Sequence, residues 1–292
     1  MASGYSTVTT LTELIPEITL EAAFIYQNKA LARSLVTVEE ITGRPGVTVE
    51  FPRFSEVAGD TAFSNEYDAP TSHAMDSGSM PTLTVVRRSV YVLLTDIAKK
   101  GTRGDIVSKI GYAMGMAMVK QDDASIFSVV TGTTNYTTGT GITNGAFAIG
   151  YVLDGILLLE KNEVDDQLYC VLHPHQYDPI RDTLTPVAND DGISIDQATE
   201  LVRNGFVSRM FGAEWFKSSR IGSGTVTATG NVYNGLLFAK RGIGYAFSWL
   251  EVPGIEFERN AEAASTKMII NYADSAGVIY DSAVCKLYST SS

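Results

Sequence analysis

Apolar positions along the chain change their period several times, and each change marks a new element. Between residues 17 and 36, Leu20, Phe24, Leu31 and Leu35 recur at helical spacing among Ala22, Ala23, Ala30 and Ala32, all strong helix formers. The first 16 residues, rich in Thr, Ser and Gly and ending at Pro16, read as an extended leader. Gly43-Arg44-Pro45-Gly46 stops the helix, and Val47 to Phe51 then reads as a strand. A polar tip of Gly, Asp, Ser, Asn and Pro follows, and the chain returns along a second strand-like run, Leu83 to Leu93. The pattern is a long hairpin arm with no core of its own. A two-stranded ribbon is marginal in water, so such an arm must lie on the rest of the chain or on another copy of it. That places assembly ahead of catalysis.

Gly101-Thr102-Arg103-Gly104 breaks the chain again, and Asp105 is placed to cap a helix running to about Val130. Its expected apolar face is Ile106, Ile110, Ala113, Met114, Ala117, Met118, Ala124 and Phe127, with Gly111 and Gly115 spaced for a close backbone approach. Residues 131–145 form a Thr/Gly/Asn loop. A second unit follows. Phe147 to Lys161 is an amphipathic helix, and the unalternated run Leu168 to Leu172 suits a central buried strand. Pro174 fits the first position of a short helix. Ser194-Ile195-Asp196-Gln197 is a capping box opening a helix that ends at Gly205. Val207 to Lys217 reads as strand, turn, strand about Gly212, and Leu236–Phe238 and Tyr245–Leu250 are further strands. After Pro253-Gly254, Ile255–Glu258 and Met268–Ile270 read as strands, with a turn at Gly277 before Val278–Tyr280 and Ala283–Tyr288. These late strands are the expected partners of the long helix. No internal repeat is visible.

With 45% apolar and 19% charged residues in 292, the chain is globular, with room for one large domain or two small ones. Its 22 basic and 33 acidic residues leave a net charge of −11. Counterion release on nucleic acid would therefore contribute little, which argues against sequence-specific DNA binding. An acidic surface still suits a wall that nucleic acid does not stick to. Cys170 and Cys285 each lie in an apolar run and read as buried free thiols of a reducing compartment. The first basic residue is Lys29, so no secretory n-region precedes an apolar core, and no apolar run reaches the roughly 18 residues of a membrane span. The expectation is a protein made in the cytoplasm, soluble or self-assembling.

Catalytic and metal chemistry find little support. His173 and His175 flank Pro174, but no third ligand stands near them, and a turn after a buried strand accounts for them better. The only other histidine is His73, in the arm tip. Thr138 to Gly145 shares only its glycine content with a phosphate loop and lacks the Lys-Ser/Thr ending. Asp122-Asp123, Asp165-Asp166 and Asp190-Asp191 lack calcium-loop spacing and read as solvated helix and loop ends. No catalytic, cofactor or metal residue is assigned.

The arm is different. It carries Glu50, Glu56, Asp60, Glu66, Asp68 and Asp76 against a single cation, Arg53. Arg87 and Arg88 lie on the return run, and Lys99, Lys100 and Arg103 just beyond it. Docking of the acidic arm of one copy near the basic group of the next would set register and orientation more than affinity. A solvated arm with unrelated charges is the competing reading.

The order of these parts resembles the major capsid proteins of tailed bacteriophages, the Hong Kong 97-type fold. Stretches similar to that family include Leu94-Thr95-Asp96-Ile97-Ala98, Lys120-Gln121-Asp122-Asp123, Gly205-Phe206-Val207 with Phe216-Lys217-Ser218-Ser219, and Gly254 to Asn260. The resemblance implies an α+β chain in five parts: an N-terminal arm (1–45), an extended β-hairpin loop with its return strand (46–98), the long spine helix and linker of a peripheral domain (99–145), an axial domain (146–252) and C-terminal strands of the peripheral domain (253–292). It further implies a non-enzymatic shell subunit in a virion, made in the host cytoplasm. Copies would form pentamers and hexamers of an icosahedral head around double-stranded DNA, which is met only by non-specific proximity. Scaffolding, portal and cement proteins are the expected partners, with no membrane. An encapsulin-type compartment shell is the alternative of the same fold, and an uncharacterised enzyme the alternative of a different class. Some family members cross-link through a lysine of the extended loop. No lysine lies between Lys29 and Lys99 here, so buried surface or a cement protein must take that role. Only about forty residues precede the arm, so a separate scaffolding protein, or none, is expected.

Overall fold

Ser265–Val278 (β13) is the longest strand of the chain's computed structural model, and both of its edges are used. The structure describes residues 22, 30–43, 46–53, 80–97, 106–137, 147–184, 209–221, 223–226, 230–249 and 255–290. A short helix, α1 (Ala32–Leu35), leads into strands β1 (Thr37–Glu40), β2 (Thr48–Glu50), β3 (Thr82–Thr84) and β4 (Val86–Thr95). The long helix α2 (Ile106–Ser128) comes next, followed by β5 (Tyr136–Thr137), α3 (Ile149–Lys161), β6 (Leu168–Leu172) and α4 (Pro174–Leu184). The remaining strands are β7 (Arg209–Met210), β8 (Ala213–Lys217), β9 (Ser223–Val226), β10 (Gly230–Ala239), β11 (Ile243–Trp249), β12 (Ile255–Asn260), β13 and β14 (Val284–Thr290).

Along one edge of β13, β4 pairs antiparallel from Ser265↔Thr95 to Asp274↔Val86. Along the other edge, β12 pairs with residues 265–270 and β11 with residues 272–278, end to end. β1 extends this sheet in parallel beside β11. On its inner face Leu94, Met268, Ile270, Tyr272, Tyr245 and Phe247 are buried against Ile110, Met114, Met118, Ile126 and Phe127 of α2. The Tyr272 hydroxyl donates to Gln121 Oε1 at 3.0 Å, fixing the helix over the sheet.

The second sheet runs β5-β14-β10-β6-β8-β7, with β9 also on β10. Helices α3 and α4 cover one face through Val152, Ile156, Leu159, Tyr177 and Ile180. Val171, Leu236 and Phe238 lie in the other cluster, with α2, so the two sheets share one core.

Several expectations need correction. Among the described residues, the return run follows the outgoing strand only at its start. The ribbon is three pairs, Thr48↔Thr84 to Glu50↔Thr82, after which β4 leaves it for β13. The base of the arm lies on the rest of the chain, one of the two expected supports: Ile41, Val49 and Phe51 pack with Ala246 and Ile279, with Leu83 and Val85 against them. Strand pairing redraws two boundaries. β11, expected in the axial unit, belongs to the sheet of the return strand, and β14, expected in the peripheral part, lies between β5 and β10. Gly277 is not a turn; β13 runs through it to Val278, and the chain turns at Asp281–Ala283. On α2, Lys109 to Ser128 bury Gly111, Gly115, Asp122 and Asp123 beside the expected apolar residues, whereas Ala113 and Ala124 are exposed. Cys170 and Cys285 are buried free thiols. Pro174 opens α4 as expected. The expected Asp105 cap, the helix at residues 194–205 and most of the helix at residues 17–36 lie outside the described residues.

Gly277 has a packing role instead. It pairs across the sheet with Gly244. A Cβ on Gly277 would lie 2.4 Å from Leu83 Cδ2, and one on Gly244 3.0 Å from Phe51 Cζ. The two glycines make the hollow that seats the arm base. Replacing Gly277 with Val should lower unfolding stability by about 2 kcal/mol, the usual scale for overpacking, and increase amide exchange at Thr82–Thr84. Unchanged stability and exchange would contradict this seat.

Candidate inter-subunit surface

The alternation of β4 sends Arg88, Val90, Val92 and Leu94 toward α2, and Arg87, Ser89, Tyr91 and Leu93 outward. Tyr91 is 66% exposed and Leu93 56%. Just past the strand, Ile97 is 85% exposed. Single exposed apolar side chains are ordinary, but three along one strand and its end make a patch. Among the described residues, no strand pairs with the outer edge of β4. An apolar outward face on a long edge strand is a template for another chain.

Polar side chains brace this strand from both faces. Outward, Arg87 Nη2 donates to Asn271 Oδ1 at 2.9 Å, and Asn271 Nδ2 donates to Glu256 Oε1 at 3.2 Å, a ladder across β4, β13 and β12. Lys267 Nζ stands 5.8 Å from the centre of the Tyr91 ring. At the end of β4, Arg259 grips Asp96 with two parallel hydrogen bonds of 2.7 and 2.6 Å. Inward, Arg88 pairs with the buried Asp274 and reaches Ser125 Oγ of α2 at 3.3 Å.

Three of the residues expected in the charge docking, Glu50, Arg87 and Arg88, are among the described ones. Glu50 is exposed at the end of β2. Arg87 lies on the outward face but is tied to Asn271, and Arg88 points inward to Asp274, serving the fold rather than a neighbour. Glu56, Asp60, Glu66, Asp68, Asp76, Lys99, Lys100 and Arg103 lie outside the described residues. The apolar character of the patch was absent from the charge-based expectation, although Tyr91 and Leu93 alternate on one side of the return run.

A second buried carboxylate corrects the expectation that Asp122-Asp123 is solvated. Both residues are buried. Asp123 Oδ1 accepts from the Ala32 backbone N–H at 3.0 Å, and Oδ2 pairs with Arg220. One side chain thus joins the N-terminal helix, α2 and the segment after β8.

Burial pushes both carboxyls above the ordinary carboxylate value. The Ala32 N–H and Arg220 oppose this at Asp123, and Arg88 opposes it at Asp274. His173, His175 and Tyr233 stack, the His173–Tyr233 ring centroids lying 4.2 Å apart. Burial, then the neighbouring His175, lowers the His173 pKa. Among the described residues, no group of three or more His, Cys, Asp or Glu side chains is placed to hold a metal. Among those same residues, no helix is long and apolar enough to cross a membrane.

The family described as Phage capsid protein matches residues 79–287. No curated protein matches the sequence. Among solved structures, that of Mycobacterium phage Che8 superposes with a TM-score of 0.66 at 16% identity, covering 88% of this chain and 90% of that one. The capsid structure of the cyanophage P-SCSP1u gives 0.65 at 16% identity, covering 90% and 89%. A virus-like particle from Pyrococcus furiosus gives 0.54 at 10% identity, covering 94% and 98%.

Replacing Asp274 with Ala should leave Arg88 without its buried partner and lower stability by about 3 kcal/mol. The Asn variant tests the titration separately. A carboxyl whose pKa is raised on folding binds a proton in the window between its unfolded and folded values, so its contribution falls as pH rises through that window. Asp274→Asn should therefore flatten the dependence of urea midpoints on pH just above the ordinary carboxylate range. An unchanged slope would contradict the assignment.

Proposed function

The chain belongs to the phage capsid protein family, and from that premise we propose that its copies close into pentamers and hexamers of an icosahedral head around double-stranded DNA. It is a structural shell subunit of the Hong Kong 97-type fold, a major capsid protein that self-assembles and resides in the virion. The observation that supports the assembly reading is the outward face of β4, with Tyr91, Leu93 and Ile97 exposed on a strand braced from both faces. A neighbour's arm covering that face would remove apolar surface from water and satisfy the outer edge of the sheet. The acidic arm, with Glu50, Glu56, Asp60, Glu66, Asp68 and Asp76, then lies near Lys99, Lys100 and Arg103 of the adjacent copy. Arg87 stands at the margin of this contact, while Arg88 braces the strand from inside through Asp274.

With no lysine between Lys29 and Lys99, the loop joins its neighbour without a lysine cross-link, through buried surface or a cement protein. Packaged DNA touches the wall without sequence recognition, consistent with a net charge of −11. The protein acts by packing rather than by a chemical step. It is made in the host cytoplasm, and portal, scaffolding and cement proteins are its candidate partners. The encapsulin-type alternative shares the fold, and the family match favours the phage shell.

Charge reversal at Lys99, Lys100 and Arg103 tests the docking. The triple Glu variant should fold as the wild type does by circular dichroism, yet give no closed particles by electron microscopy. Normal particles from it would reject the charge docking while leaving the shell assignment intact.

A further inference from the structure

A ring of identical subunits needs a head-to-tail contact, in which one patch of each copy meets a different patch of the next. Two unassigned apolar features lie toward opposite edges of the second sheet. The first is Phe211, in the two-residue turn between β7 and β8. Phe211 has φ 51° and Gly212 φ 78°, the positive values that a tight hairpin turn requires. Glycine or asparagine is the ordinary occupant of such a position, and a bulky side chain there is an outlier. Phe211 is also 50% exposed, so its ring gains little from its own subunit. The second feature is on α3. While Val152, Ile156 and Leu159 face the sheet, Leu153 and Leu157, one turn apart, are exposed on the opposite side.

Helix α3 packs over β14 and β5, whereas Phe211 sits beyond β8 at the other end of the strand order. Five strand spacings separate β5 from β7, about 24 Å. The charges beside the two features have opposite sign. Arg209, two residues before Phe211, has a 70% exposed side chain and pairs with Glu214 of its own hairpin at 2.7 Å, and Asp154, between the two leucines, is exposed.

We propose that Phe211 of one copy seats on the Leu153–Leu157 stripe of the next copy around the capsomer, with Arg209 facing Asp154. The proposal rests on the reading that copies form pentamers and hexamers, and it names the contact that closes them. It also accounts for a phenylalanine kept where the backbone favours glycine: the side chain finds its partner only in the ring.

Two variants test it. Phe211→Gly suits the turn, so the isolated subunit should melt no lower than wild type, while the concentration needed for assembly should rise by about tenfold, as for loss of an aromatic anchor. A subunit that assembles at the wild-type concentration would overturn the contact. The second variant carries Phe211→Cys and Leu157→Cys in one chain. A disulfide needs its Cα atoms within about 7 Å, so the two thiols can meet only between copies. Cys170 and Cys285 are buried and do not compete. Mild oxidation of assembled particles should give a non-reducing ladder ending at five and six subunits, with neither single variant giving one. Wild-type rings without a ladder in the double variant overturn this contact alone. Absence of rings in the wild type overturns the pentamer and hexamer reading with it.

Discussion

The structure depends on one strand being paired along both edges. Ser265–Val278 holds the return strand of the arm on one side and the end-to-end pair Ile255–Asn260 and Ile243–Trp249 on the other. Removing either set would expose unpaired backbone groups and open the cluster under the long helix. The buried Asp274 adds a charge-assisted contact where the return strand, the hub strand and the long helix meet, through Arg88 and Ser125. Asp123, two residues before Ser125 on that helix, does the same, tying Ala32 and Arg220 to it. Removing a partner from such a pair is costly because the remaining charge stays out of water.

From this constraint follows what the subunit can present to a neighbour. The arm begins on a seat, where Phe51 and Leu83 lie against the paired Gly244 and Gly277. Its return strand is fixed in register by ten residues of pairing, so the outward side chains have a defined direction. A shell subunit needs this combination: contacts with neighbours add up only if the surface that makes them is already ordered in the free subunit. The second sheet gives its unit the same rigidity, with Leu168–Leu172 central among its strands and helices on one face.

Local signals in the sequence were strong where one residue type had one meaning. The apolar run Leu168–Leu172, the proline at the start of Pro174–Leu184 and the turn at Gly212 are all where their patterns place them. The misreadings came from partners far away along the chain. Val86–Thr95 alternates as an arm strand would, and nothing local shows that its partner begins at Ser265, about 170 positions on. Gly277 carries the same letter whether it turns the chain or clears space for Leu83. Asp122-Asp123 looked solvated because the groups that Asp123 meets, Ala32 and Arg220, lie 91 and 97 positions away. The candidate surface was half legible. Its charges could be counted, but only the fold shows that Arg88 turns inward while Tyr91 and Leu93 turn out. Phe211 did carry a signal, an aromatic directly before glycine in a two-residue hairpin.

The most direct test of the central claim is a side-chain-resolution reconstruction of shells formed by this protein expressed alone. The account predicts that Tyr91, Leu93 and Ile97 are covered by the arm of an adjacent copy in every quasi-equivalent position. Closed shells in which that face remains open to solvent would contradict it.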